Sequence, residues 1–160
     1  YLGEPKASYS NDRRVPFGPP DAAFRMAEAA DLDGDGVLDI VAIDERRGAF
    51  VYFGRKDGTF SPGVAVDKAR TAPYALAVHD LNGDGKPDII VGHIESPSTI
   101  YFNDGTGRHF TSVHFGDAQG TVYGFAIADL DGDGRPDIAV ARSDARSVVY
   151  FADRPRAARR

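Results

Sequence analysis

The sequence predicts an all-β fold of β-propeller type: about three four-stranded antiparallel blades in an incomplete ring, each carrying a hairpin loop suited to calcium. Three observations lead there. The pattern Asp-x-(Asp/Asn)-x-Asp-Gly-x-x-Asp occurs three times, starting at Asp31, Asp80 and Asp129, so the interval is 49 residues both times. The same short apolar runs flank every copy. Turn-forming residues separate four such runs in each unit of ~50 residues, the pattern of a propeller blade.

Each element follows from its own residues. Before every loop stands an alternating run with small side chains: Phe24–Ala29, Tyr74–His79 and Tyr123–Ala128. This predicts a crowded inner strand. After every loop comes a short, apolar, β-branched run (Ile40–Ile43, Ile89–Gly92, Ile138–Ala141), which predicts a buried second strand. Third strands are expected at Ala49–Phe53, Thr99–Phe102 and Ser147–Phe151, where Tyr52-Phe53 recurs as Tyr101-Phe102 and Tyr150-Phe151. Turns at Asp57-Gly58 and Asp104–Gly107 then lead to fourth strands near Phe60–Val66 and Phe110–Phe115.

The resulting units are 21–69, 70–118 and a partial blade at 119–153. Tyr1-Leu2-Gly3 parallels Tyr52-Phe53-Gly54, so 1–20 reads as the outer half of a preceding blade. The basic stretch 154–160 reads as a solvated tail. About three blades cannot close a ring alone. Further blades of the same chain, or a second chain, are therefore expected partners.

The loops carry the chemistry. Oxygen ligands at positions 1, 3, 5 and 9 of a glycine-rich turn suit a hard cation of calcium size. The expected ligands are Asp31, Asp33, Asp35 and Asp39 in the first loop. Asp80, Asn82, Asp84 and Asp88 serve the second; Asp129, Asp131, Asp133 and Asp137 serve the third. Position 7 offers only its backbone carbonyl, which lets that residue vary between Val37, Lys86 and Arg135. An EF-hand would need a Glu at position 12 and a helix beyond it. Here position 12 is Ala42, Val91 or Val140, within a strand run. Magnesium is disfavoured because it keeps several waters and takes few carboxylates.

Charge tells the same story. The net charge is −5, and the three loops hold eleven aspartates against one lysine and one arginine, a net −9 that leaves +4 elsewhere. Without a cation, such clustered carboxylates repel one another. The chain has no cysteine, which excludes disulfides and thiolate chemistry. Nothing in the sequence suggests a membrane span, and no basic patch interleaved with aromatics suggests nucleic acid.

With the Tyr-Phe-Gly segment and the period, these loops resemble the FG-GAP or VCBS repeats of integrin-α-type β-propellers, over residues 1 to about 153. The resemblance implies a calcium site between the first two strands of each blade, on the face opposite the usual ligand surface. It also implies an extracellular, cell-surface or periplasmic setting. Where such propellers usually have seven blades, this chain has three loops.

Other chemistry is thin. The four histidines do not recur at the period, and His79 reads as structural. Tyr74 and Tyr123 read as core or rim packing, with sugar stacking as the rival. No nucleophile or paired carboxylate outside the loops suggests catalysis. The expected function is a calcium-stabilised recognition or adhesion module for a protein or glycan. The alternative is the scaffold portion of a larger secreted carbohydrate-active enzyme.

Overall fold

The computed structural model describes residues 11–66 and 72–152, and the elements below lie within them. The first sheet contains Phe24–Ala30 (β1), Asp39–Asp44 (β2), Gly48–Tyr52 (β3) and Val64–Ala65 (β4), in that spatial order. The second contains Pro73–His79 (β5), Asp88–His93 (β6), Ser98–Asn103 (β7) and Phe110–Phe115 (β8), again in chain order. The third contains Thr121–Ala128 (β9), Asp137–Ser143 (β10) and Val148–Tyr150 (β11). Every pairing is antiparallel. Among the described residues the helical content is one 3-10 turn, Asn11–Arg13. The fold is thus all-β, an arc of propeller-type blades that does not close into a ring. The tail 154–160 lies outside the described residues.

The blades stack through their inner strands, with β5 between β1 and β9. Alternation along the strands gives each blade two apolar faces. Val41, Ile43, Val51 and Phe53 of the first blade meet Leu76, Ile89, Val91 and Tyr101 of the second in one core. Ala75 and Ile90 on the opposite face of the second blade meet Val122, Ile138 and Val140 of the third in another. The middle strand β6 is buried along its whole length: its apolar run Ile89–Gly92 calls for this, and Asp88 and His93 at its ends are buried with it.

Two departures from the sequence expectation have physical causes. The expected fourth strand at Phe60–Val66 shrinks to Val64–Ala65, preceded by an isolated Gly54–Phe60 bridge. Pro62, which has no N–H to give a ladder, interrupts it. Its counterpart β8 lacks proline and runs its full six residues. The second departure is a shift of register in each inner hairpin, after Phe24, after Pro73 and at Arg142. The extra residues are Arg25, Tyr74 and Tyr123, which occupy one repeat position. Bulges re-aim side chains, and these three form a ladder. The Arg25 guanidinium lies 4.0 Å from the Tyr74 ring centroid, and Tyr74 meets Tyr123 edge-on at 4.9 Å. Arg25 is held from behind by Glu45 at 2.5 Å. The two tyrosines thus pack against each other at the rim, where Tyr123 remains half exposed.

The two ends of the arc differ. Phe17 packs edge-on against Tyr52 at 5.6 Å, as Phe115 packs against Tyr150 at 5.4 Å. Phe17-Gly18 therefore covers the first blade in the way that Phe115-Gly116, at the end of β8, covers the third. Residues 11–20 contain no strand, and Tyr1-Leu2-Gly3 lies outside the described residues. At the other end no described residue covers the outward face. Leu32 and Phe53 are 1% and 5% exposed beneath the second blade, whereas their third-blade equivalents Leu130 and Phe151 are 52% and 57% exposed.

Candidate metal centre

Each acidic loop joins the first two strands of its blade, and the registers Ala30↔Asp39, His79↔Asp88 and Ala128↔Asp137 close all three at the ninth aspartate. The loop winds around its first carboxylate. Asp31 Oδ1 accepts from the Gly34 and Asp35 N–H groups (2.8 and 3.1 Å), and Oδ2 accepts from Gly36 N–H at 2.9 Å. Asp80 and Asp129 are wrapped in the same way, with Gly83 and Gly85, then Gly132 and Gly134, as donors. The wrap needs a left-handed backbone at positions 4 and 6. Gly34 and Gly36 have φ of 74° and 83°, repeated within a few degrees at the other loops. Only glycine takes that conformation without strain.

Positions 3 and 5 are turned by the same local bonds. Asp33 Oδ1 accepts from Asp35 N–H and Asp35 Oδ1 from Val37 N–H, at 3.3 and 2.8 Å. Position 9 does a different job. Asp39 Oδ2 accepts from Leu32 N–H and Oδ1 from Gly54 N–H, both at 2.9 Å, so it pins the loop to the end of β3. Asp88 links Leu81 to Asn103, and Asp137 links Leu130 to Ala152, in the same manner. All three carboxylates are buried. Burial pushes Asp39 and Asp88 above the usual carboxylate range, against the pull of their backbone donors. Asp137 is instead held low, chiefly by the Ala152 N–H.

The donor set fits a calcium-sized cation. Oxygens of Asp31, Asp33 and Asp39 lie within 4.8 Å of one another, as do those of Asp129, Asp131 and Asp133. Two oxygens on opposite sides of a calcium ion stand about 4.6–5.2 Å apart. Each carboxylate oxygen that accepts one N–H keeps a further lone pair. The second loop repeats the backbone geometry with a weaker charge. Asn82 replaces an aspartate, and Lys86 Nζ approaches Asp84 at 3.6 Å. The position-7 residues Val37, Lys86 and Arg135 each donate N–H to the position-5 carboxylate, at 2.8, 3.0 and 3.1 Å.

Three residues matter here that the ligand pattern does not name. Leu32 sits between ligand positions 1 and 3, buried, with its N–H on Asp39. Gly54 allows β3 to approach the loop, since a Cβ there would stand 2.3 Å from the Leu38 carbonyl oxygen. Asn103 occupies the corresponding place in the second blade and crosses to the first. Its Nδ2 donates to the Leu32 carbonyl at 2.8 Å and to Pro87 at 3.2 Å. Its Oδ1 accepts from Gly105 and Gly107 N–H, both at 3.0 Å. His79, expected as a structural histidine, is exposed at the mouth of the second loop.

An arc of propeller-type blades, each entered through an acidic glycine loop, is the class of protein these features define. Residues 31–91 and 80–140 both match the FG-GAP-like repeat family, together covering more than half of the chain, which belongs to that family. No curated protein matched it. Among the described residues no helix is long and apolar enough to cross a membrane.

Proposed function

We propose that this chain is a calcium-stabilised FG-GAP blade module that serves in extracellular recognition or adhesion. In this reading each loop holds one calcium ion, with side-chain oxygens from positions 1, 3, 5 and 9 and the carbonyl of position 7. The observation that carries it is the convergence of carboxylates to within 4.8 Å in the first and third of three loops that recur every 49 residues. Bound calcium supplies the positive charge that those carboxylates lack. The residues do the rest: the first carboxylate orders the turn, and the ninth ties it to the third strand. Loops of this weak, exposed type fill at the millimolar calcium of extracellular fluid, which supports a secreted, surface or periplasmic setting.

Recognition would use the opposite end of the blades, where the Arg25–Tyr74–Tyr123 ladder runs across all three inner strands. An aromatic and cationic rim of this kind suits a protein or glycan partner. Equilibrium dialysis against calcium tests the metal assignment, with three ions per chain expected, and two in Asp133→Ala. A glycan array beside a protein-binding screen, each run on the parent and on Tyr123→Ala, tests the recognition surface. Unchanged binding in Tyr123→Ala would remove the ladder from the proposal.

A further inference from the structure

The first two loops are joined by one side chain. The Leu32 peptide of the first loop is held at both ends, its N–H by Asp39 Oδ2 and its C=O by Asn103 Nδ2. Asn103 is in turn fixed to the second loop, through its own N–H on Asp88 Oδ1 and its Nδ2 on the Pro87 carbonyl. Asn103 is buried, and its amide oxygen is also occupied by Gly105 and Gly107. It therefore has no alternative set of partners at hand. No such side-chain bridge can leave the corresponding place in the other blades, because Gly54 and Ala152 there have no side-chain donor and give their N–H to Asp39 and Asp137.

Resting on the calcium reading above, we infer that Asn103 is a positioning residue that couples the first two calcium loops. Ordering of Pro87 and Asp88 around an ion in the second loop fixes Asn103. Asn103 then fixes the Leu32 peptide between the two ligands Asp31 and Asp33. The first loop has less disorder to lose when its own ion arrives, which is positive coupling between the sites. By reciprocity, filling the first loop strengthens the second, the one with the weaker charge. The third loop stands outside this pair.

Calorimetric titration of calcium chloride into the full chain carrying Asp133→Ala, which leaves loops one and two, tests the coupling. There the second ion should bind about 5-fold or more tightly than two independent sites allow, the lower end of typical coupling. Adding Asn103→Ala should bring that factor to about 1, while two ions still bind. In Asp84→Ala, which leaves loops one and three, the factor should be about 1 with or without the Asn103 substitution. Position 103 corresponds to Ala152 and Gly54, so alanine keeps the N–H on Asp88. Asn103→Gly replaces it if the alanine variant does not fold. A second readout is amide exchange at Leu32 in Asp35→Ala. Calcium filling the second loop should slow it, but not once Asn103→Ala is added. Equal cooperativity with and without Asn103 overturns the inference and leaves the calcium assignment standing. Absence of calcium binding in every arm overturns both.

Discussion

Asn103 and Leu32 stand 71 residues apart in the chain and share a buried 2.8 Å hydrogen bond from one blade to the next. The bond reaches a backbone carbonyl inside the acidic loop, so blade stacking and loop geometry are one structural problem here. The cation–π contact of Arg108 on Phe53, 3.9 Å from the ring centroid, joins the same two blades a few residues away. The first loop is completed by the neighbouring blade as well as by its own hairpin.

Gly54 should be the least replaceable residue of the first hairpin outside the ligands. An alanine Cβ would meet the Leu38 carbonyl oxygen at 2.3 Å, and backbone rather than a flexible side chain would have to move. Gly54→Ala is expected to cost about 1–3 kcal/mol in urea unfolding. Ala152 holds the same repeat position in the third blade, so the penalty belongs to the first blade. A variant as stable as the parent would mean that the loop can retreat from β3.

The second loop should be the weakest calcium site, because Asn82 gives it one carboxylate fewer and Lys86 lies 3.6 Å from Asp84. Affinity in such loops follows ligand charge. Asn82→Asp is expected to tighten that site by on the order of tenfold, read by calorimetry in a chain carrying Asp35→Ala and Asp133→Ala. Unchanged affinity would show that the backbone geometry, shared by all three loops, sets the strength.

The outward face of the third blade should be adhesive. Leu130 and Phe151 are more than half exposed where their first-blade equivalents are buried, and Val149 lies on the same blade, also exposed. Apolar blade faces are covered by a neighbouring blade at both internal junctions. The 160-residue chain is therefore expected to associate or to bind a hydrophobic dye, and Phe151→Asp to reduce both. Light scattering that shows a monodisperse monomer without dye binding would contradict this.

Most of this architecture is legible in the sequence, because the signals are local. Alternation before each loop, β-branched runs after it and glycines at positions 4 and 6 each act within a few residues. They place β1, β5 and β9, their partner strands and the loops to within two or three residues. The shortened β4 was readable from Pro62. The ladder of Arg25, Tyr74 and Tyr123 was half visible: its spacing shows in the sequence, but the bulges that aim it come from pairing register. The Asn103 bridge leaves almost no trace, since its acceptor is a peptide carbonyl that any residue supplies. Its one clue is a polar amide where the repeat elsewhere carries Gly54 and Ala152.

Loss of a single ligand should act locally. Asp133→Ala removes the Oδ1 that Arg135 N–H uses at 3.1 Å together with a central oxygen of the third loop. It is expected to lower the calcium count by one and to speed amide exchange in β9 and β10, leaving the second blade protected. Glu95→Ala, in the β6–β7 connection, is expected to change neither. An undiminished calcium count in Asp133→Ala would remove that aspartate from the ligand set.

The most direct measurement is thermal unfolding of the parent chain in EDTA and in millimolar calcium, paired with Asp35→Ala/Asp84→Ala/Asp133→Ala, in which every loop has lost its central ligand. If the clustered carboxylates are held together by calcium, the parent's Tm rises with calcium concentration, as binding to the folded state alone requires. The triple variant's Tm should stay where it is. A parent Tm identical in EDTA and in calcium would contradict the account, and would leave the hydrogen bonds around Asp31, Asp80 and Asp129 and those of the ninth aspartates to hold these loops without an ion.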